Sequence, residues 1–310
     1  MPNLSINIGK LKLKNPVMVA SGTFGYAEEF REFMDLKQLG AIVSKTITLN
    51  PRQGNPAPRT CETPAGMLNS IGLENPGLEV FLKEKLLFLK KIGVPLIISI
   101  ASEEGPEEFV TLARRLDKVK EVAAIELNIS CPNIKGLRGK GQGLRMISQD
   151  SKATYDLVKV VRKATKKTLI TKLSPNVTDV TEIALAAEKA GSDAISLINT
   201  ITAMAIDIQK RKPKIAAVTG GLSGPAIRPI AVRMVWEVYQ KIKIPIIGMG
   251  GIMDTLSALE FFISGATAIS IGTANFINPK VSLEILEGLK KYLIKNKIKD
   301  IKNLIGILKI

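Results

Sequence analysis

Short runs of β-branched and aliphatic residues recur along the chain. Between them lie longer stretches in which apolar residues return every three or four positions. The runs are Val17–Ala20, Ala41–Lys45, Leu96–Ala101, Ala123–Ile129, Thr168–Lys172, Ala194–Ile198, Pro245–Gly248 and Ala268–Ile271. Most lack the polar alternation of a half-exposed strand, as expected of parallel strands covered on both faces. The intervening stretches carry helix signals. Gly105-Pro106-Glu107-Glu108 places proline in a first turn and carboxylates at the positive end of the helix dipole, with Phe109, Leu112, Ala113 and Leu116 at helical spacing behind it. Asp254 can cap a helix that carries Ala258, Leu259 and Phe262 and ends at Gly265, and Val180–Ala190 ends at Gly191 in the same manner.

Eight strands alternating with helices predict an α/β fold, a single (β/α)8 TIM barrel over residues 1–310 with parallel strands and an active site at their C-terminal ends. An open doubly wound sheet is the alternative, but no Gly-x-Gly-x-x-Gly follows the first run. One excursion breaks the alternation, from Thr46 to about Lys83, rich in Pro, Gly and Asn. A loop that long in a compact domain is expected to be a lid or a binding wall.

Composition narrows the chemistry. The chain contains no histidine, so a general base must be Cys, Lys, Asp, Glu or Tyr. The two cysteines, Cys61 and Cys131, have no metal-ligand spacing, so neither a disulfide nor a metal site is expected, and a reducing compartment is the simpler assignment. No signal peptide pattern opens the chain and no run approaches the ~18 apolar residues of a membrane span, which predicts a cytoplasmic protein without a membrane partner. The formal charge of +16 is concentrated in Lys83–Lys91, Lys159–Lys167 and Lys290–Lys302, where lysines interleave with apolar residues as on the outer helices of a barrel. The aromatic interleaving of a single-strand nucleic-acid surface is missing, and no nucleic-acid partner is expected.

The strand ends are unusually polar. They run into Ser21-Gly22, Lys45-Thr46, Asn128 to Asn133, Lys172, Asn199-Thr200, Gly250-Gly251 and Gly272-Thr273. Glycines after the last two strands fall where many barrels bind phosphate with backbone N–H groups, although a Gly-Gly pair alone can be a plain turn. Gly220–Pro225 adds a backbone surface suited to a flat ring or a phosphate tail. Cys131 stands just beyond a strand end between Ser130 and Pro132. A lone cysteine is commonly inert, but a thiol near a cation can ionise and take a proton near neutral pH, which makes Cys131 the candidate base. Cys61, in the long excursion, is assigned no role. Asn69, Asn128, Asn133 and Asn199 near one mouth suit the donor–acceptor edge of a planar ring, where isolated asparagines would be turn formers. Lys45 can pair with a substrate carboxylate, and Lys172 on a central strand calls for an anionic partner, if neither is simply salt-bridged.

These residues resemble a known family. Asn128–Asn133 (NISCPN), Met67–Gly77 (MLNSIGLENPG), Lys172–Asn176 (KLSPN), Gly220–Pro225 (GGLSGP), Gly248–Ile252 (GMGGI) and Ile271–Phe276 (IGTANF) are similar, in order and over nearly the whole chain, to class 1 dihydroorotate dehydrogenases. Ser196–Thr202 followed by Ile206-Asp207 resembles the B subtype. The resemblance implies oxidation of (S)-dihydroorotate to orotate in pyrimidine biosynthesis, with Cys131 removing the C5 proton while hydride passes from C6 to N5 of a non-covalent FMN. It implies that Lys45, Asn69, Ser70, Ile71, Gly72, Leu73, Asn128, Asn199 and Thr200 hold the substrate. FMN is then expected on Ser21, Lys45, Thr46, Ser99, Asn128, Lys172, Ile198, Gly224, Gly250, Gly251, Gly272 and Thr273, with Ser99 standing where many relatives have Asn. It further implies a homodimer that assembles into a heterotetramer with an electron-transfer subunit carrying FAD and a 2Fe-2S cluster, which passes electrons to NAD. A fumarate-linked subtype A enzyme and a flavin-dependent tRNA-dihydrouridine synthase are the alternatives within flavin barrels. A phosphate-binding scaffold barrel is the non-catalytic one.

Overall fold

The computed structural model describes residues 1–102, 104–130 and 147–309. Eight parallel strands close into a barrel in sequence order: β1 (Val17–Val19), β2 (Ala41–Val43), β3 (Leu96–Ile100), β4 (Val122–Asn128), β5 (Thr168–Lys172), β6 (Ala194–Leu197), β7 (Ile246–Gly248) and β8 (Ala268–Ile271). β8 closes on β1 with Ile269 opposite Val17 and Ile271 opposite Val19. All eight expected strands are present, with ends that agree to within two residues. Their β-branched and aliphatic side chains are almost wholly buried, because parallel strands are covered by helices outside and by packed side chains within.

The helices follow their local signals. Pro106–Asp117 begins with proline in its first turn. Thr255–Ser264 opens on a capping box, in which the Asp254 carboxylate accepts from Ser257 N at 2.8 Å while Ser257 Oγ accepts from Asp254 N at 2.9 Å. Asp150 and Asp179 cap Ser151–Ala164 and Val180–Lys189. Two lysine-rich stretches are shorter as helices than their composition suggests. In Lys159–Lys167 the helix stops at Ala164, because Asp117 Oδ1 captures Thr165 Oγ1 at 2.7 Å and Lys166 N at 2.8 Å and holds the chain extended. In Lys290–Lys302 the helix Val281–Lys295 ends before Lys297, which adopts φ 56°, and a separate 3-10 turn covers Ile301–Leu304. The crossover after β1 contains only 3-10 turns, Glu28–Phe30 and Leu36–Gln38.

Two additions frame the barrel. An N-terminal hairpin, Ile6–Ile8 with Leu11–Leu13, lies against the barrel's lower end, its Gly9 turn packed on Asp193 and Thr168. At the mouth, the excursion after β2 forms a second sheet. Thr60–Thr63 and Gly66–Asn69 pair antiparallel, and Gly66–Asn69 also pairs with Gly220–Ser223, which in turn pairs with Ile201–Ala203. At Gly66 the backbones pass so closely that a Cβ would sit 2.0 Å from Ser223 O. The excursion is therefore a structured wall rather than loose chain, and its helix begins at Gly77, ahead of Lys83. Among the described residues no helix is long and apolar enough to cross a membrane.

Candidate active site

Strand register decides which side chains meet at the mouth. Asn128 stands opposite Lys172 across β4–β5, and Lys172 stands opposite Ser196 across β5–β6. Residues just beyond the other strand ends complete a single cavity. It is lined by Ser21 after β1, Lys45 and Thr46 after β2, Ile198 to Thr200 after β6, Met249 to Gly251 after β7, and Gly272 and Thr273 after β8. The mouth sheet adds Asn69, Ile71, Gly72, Leu73, Ser223 and Gly224.

A hydrogen-bond chain fixes the polar side of this cavity. Thr46 Oγ1 shares a hydrogen bond with Ser99 Oγ at 2.9 Å and accepts from Asn128 Nδ2 at 3.1 Å. Ser130 Oγ donates to Asn128 Oδ1 at 3.2 Å. Asn199 Nδ2 donates to Ser130 O and Oγ at 3.1 and 3.0 Å, and Asn199 Oδ1 accepts from Thr200 N at 2.8 Å. Each carboxamide thus has a fixed flip. Asn128 keeps one N–H and one lone pair for a ligand, and Asn69, whose Nδ2 donates to Gly221 O at 3.3 Å, presents its oxygen.

Two lysines supply positive charge. Lys45 is held below the usual lysine pKa by burial, a shift that the Glu74 carboxylate opposes. Lys172 is 5% exposed, lines the cavity and forms no hydrogen bond or ion pair with another described residue. An ammonium buried this way is stable only against an anion or ordered water.

Opposite the lysines the lining is backbone. Gly251 has φ 79°, and a Cβ there would lie 2.6 Å from Arg228 Cβ, so both conformation and packing require glycine. Gly272 differs: its φ is ordinary, and a Cβ would meet only Ala20 Cβ at 3.8 Å. Neither backbone nor protein packing explains the missing side chain, which leaves room for a ligand. Beside it Ser270 Oγ is buried without a hydrogen-bond partner among the described residues. An orphaned hydroxyl, the open Gly272 and an ammonium unpaired among the described residues, around one cleft, fit a flat, anionic, phosphorylated ring compound such as a flavin nucleotide.

The loop Asn69–Leu73 is braced from behind. Ser70 N donates to Arg59 O at 2.7 Å, Asn55 N to Ile71 O at 3.0 Å and Arg52 Nε to Gly72 O at 3.1 Å. Asn55 Nδ2 donates to Ser70 Oγ at 2.7 Å, and Arg59 bridges to Glu74. The loop is therefore held at a set height over the cavity.

Of the residues singled out from sequence, Ser21, Lys45, Thr46, Asn69, Ile71, Gly72, Leu73, Asn128, Lys172, Ile198, Asn199, Thr200, Gly224, Gly250, Gly251, Gly272 and Thr273 line this cavity. Ser99 and Ser70 do not: Ser99 sits wholly buried behind Thr46, and Ser70 faces Asn55. Cys131 and Asn133 lie outside the described residues. Ser130, the residue before Cys131, is fully buried and tied to Asn128 and Asn199. Sequence reasoning passed over Ser270 and Glu126. Both are polar residues inside strand runs, and that interruption of an apolar run was the available signal.

The family description "Dihydroorotate dehydrogenase" matches residues 3–293. Curated relatives are similar over their full length. The "Dihydroorotate dehydrogenase B (NAD(+)), catalytic subunit" of Geotalea uraniireducens is 53% identical over 307 residues, covering 99% of this chain and 98% of that protein. The protein of the same name from Caldicellulosiruptor bescii is 53% identical over 308 residues, covering 99% and 100%. That from Geobacter sulfurreducens is 52% identical over 309 residues, covering 100% and 99%.

Proposed function

The chain belongs to the dihydroorotate dehydrogenase family, and from that premise we propose that its mouth cavity binds FMN and oxidises (S)-dihydroorotate to orotate, with Cys131 as the base. The observation that carries this proposal is the pairing of a buried Lys172, without a partner among the described residues, with the open Gly272 cradle on either side of one cleft.

FMN would lie with its phosphate against the backbone of Gly250, Gly251, Gly272 and Thr273, and its ring against Ser21, Thr46, Ile198 and Gly224 near the Lys172 ammonium. When bound, it supplies the acceptor for the hydride that leaves C6 of dihydroorotate. Lys45 meets the substrate carboxylate, and the amides of Asn69, Asn128 and Asn199 with Thr200 fix the pyrimidine edge. Because those amides are already anchored to Thr46, Ser130 and Gly221, the substrate meets preset donors and acceptors, which is a positioning effect. Ile71 to Leu73 cover the substrate from above, with Ser70 bracing them from behind through Asn55. Cys131 takes the C5 proton, a role open to a thiolate near neutral pH. Ser99 contributes by holding Thr46 in place.

The names of the relatives support a partner. We infer that this single barrel domain pairs with a second copy and with an electron-transfer subunit bearing FAD and a 2Fe-2S cluster, through which electrons reach NAD. The test of the base is Cys131→Ala. FMN and orotate binding are expected to persist while turnover near neutral pH falls about 10²- to 10⁴-fold. Unchanged turnover would remove Cys131 from the mechanism.

A further inference from the structure

One layer below the cavity floor the barrel holds a carboxyl group that the proposed chemistry does not use. Glu126 is 2% exposed on β4, two residues before Asn128 on the same inward face. Its Oε2 accepts from Ser196 Oγ at 3.1 Å, while its Oε1 is buried with no hydrogen-bond partner among the described residues. Ser196 stands opposite Lys172 across β5–β6, and Asn128 stands opposite Lys172 across β4–β5. Lys172 is therefore the diagonal neighbour of Glu126 on the inward face, a separation of about 7–8 Å that long side chains span. The other cavity lysine, Lys45, answers instead to Glu74, Arg59 and Glu29. Among the described residues, a carboxyl oxygen with no hydrogen-bond donor and an ammonium without a partner thus share one buried interior, and each lacks what the other supplies.

We propose that Glu126 is the positioning residue for the Lys172 ammonium. Its open Oε1 draws the ammonium toward the barrel interior and so sets how much of that positive charge reaches the ring system above. Loss of the carboxylate's charge leaves the ammonium wholly to the ligand and favours the ligand's more negative, reduced form. Loss of the ammonium makes Glu126 nearly irrelevant to the ligand.

Resting on the flavin proposed for this cavity, the inference is tested by poising the FMN-loaded full chain and its variants against a redox dye and reading the flavin by absorbance. Glu126→Gln keeps the shape and the Ser196 hydrogen bond but removes the charge. It is expected to raise the ratio of reduced to oxidised flavin about tenfold at a fixed poise, or about 30 mV for a two-electron couple. Glu126→Asp, which keeps the charge, is expected to hold the ratio within about twofold of the parent, and it serves as the deciding variant if the Gln form does not fold. In a Lys172→Met background, the Gln substitution is expected to change the ratio less than about threefold. An unshifted ratio in the Gln variant overturns the inference. So does a tenfold rise that survives in the Met background, or an Asp variant shifted as far as Gln. A parent chain that retains no flavin overturns this inference and the flavin proposal together, whereas bound flavin with an unshifted ratio overturns this inference alone.

Discussion

Gly251 and Gly272 border the same cavity, yet one substitution is expected to act on them in opposite ways. At Gly251 an alanine must adopt a left-handed φ of 79° and place its methyl 2.6 Å from Arg228 Cβ and 2.9 Å from Gly224 O. The conformation costs about 1–2 kcal/mol and the overpacking about 1–3 kcal/mol. Gly251→Ala should therefore lower Tm by on the order of 5 °C. At Gly272 the backbone accepts alanine, and the nearest atom stands 3.8 Å away. Restricting the unfolded chain then stabilises the protein by about 0.4–1 kcal/mol. The new methyl, however, enters the space assigned to the FMN phosphate. Losing one charge-assisted backbone hydrogen bond there costs about 1.5–3 kcal/mol, which weakens FMN binding about 10- to 150-fold. The assay is a thermal melt of each variant without ligand, followed by fluorescence titration with FMN and with riboflavin, which lacks the phosphate. The reasoning requires Gly272→Ala to be at least as stable as the parent, weak for FMN and nearly unchanged for riboflavin. An unaltered FMN affinity, or an equal loss for both ligands, would refute the placement of the phosphate.

Other consequences can be measured on the same protein. Burial lowers the Lys45 pKa, so affinity for the orotate carboxylate should be lost as pH rises through that lowered value. The inflection should fall below the ~10.4 of an ordinary lysine and be absent in Lys45→Met, and an inflection that persists in that variant would assign it elsewhere. Asp254 is held below the usual carboxylate range by hydrogen bonds from Ser257 N and Oγ. Its stabilisation is thus present above the unfolded value of ~3.9 and disappears as pH falls through the lower folded value. Asp254→Ala should cost about 1 kcal/mol in urea unfolding at neutral pH, with the gap to the parent closing in acid. Thr46→Val leaves Asn128 Nδ2 and Ser99 Oγ without their buried partner and should cost about 1–3 kcal/mol for each orphan, with a higher Kd for orotate. An orotate affinity equal to the parent's would show that Asn128 needs no anchor.

The barrel was legible in the chain because its strands are continuous apolar runs, and burial on both faces produces that pattern. The Asp254 cap and the proline start at Pro106 were legible for local reasons, since the residues that make each signal are sequence neighbours. The mouth sheet was not. Gly220–Ser223 (GGLS) and Thr60–Thr63 (TCET) have little strand pattern, and they pair with Gly66–Asn69 only because two distant excursions meet over the barrel. In the site, polar or glycine strand ends pointed to Ser21, Lys45, Thr46, Asn128, Lys172, Asn199, Thr200, Gly250, Gly251, Gly272 and Thr273, and all of these line one cavity. Ile71, Gly72, Leu73 and Ile198 line it too, but only the family resemblance pointed to them. Ser99 entered through the family resemblance, as the residue where many relatives have Asn, but Thr46 lies between it and the cavity. Glu126 and Ser270 interrupt apolar strand runs, but which face each interruption takes is fixed only once the barrel is closed. Lysine spacing records solvent exposure and says nothing about where the backbone turns, so the helix ends at Ala164 and Lys295 were not legible from it.

The most direct test of the central claim is the visible spectrum of the FMN-loaded chain before and after anaerobic addition of dihydroorotate. The account predicts a bound flavin that bleaches in proportion to added dihydroorotate, without any partner subunit, as orotate accumulates. A flavin that binds tightly but remains oxidised at saturating dihydroorotate would contradict it.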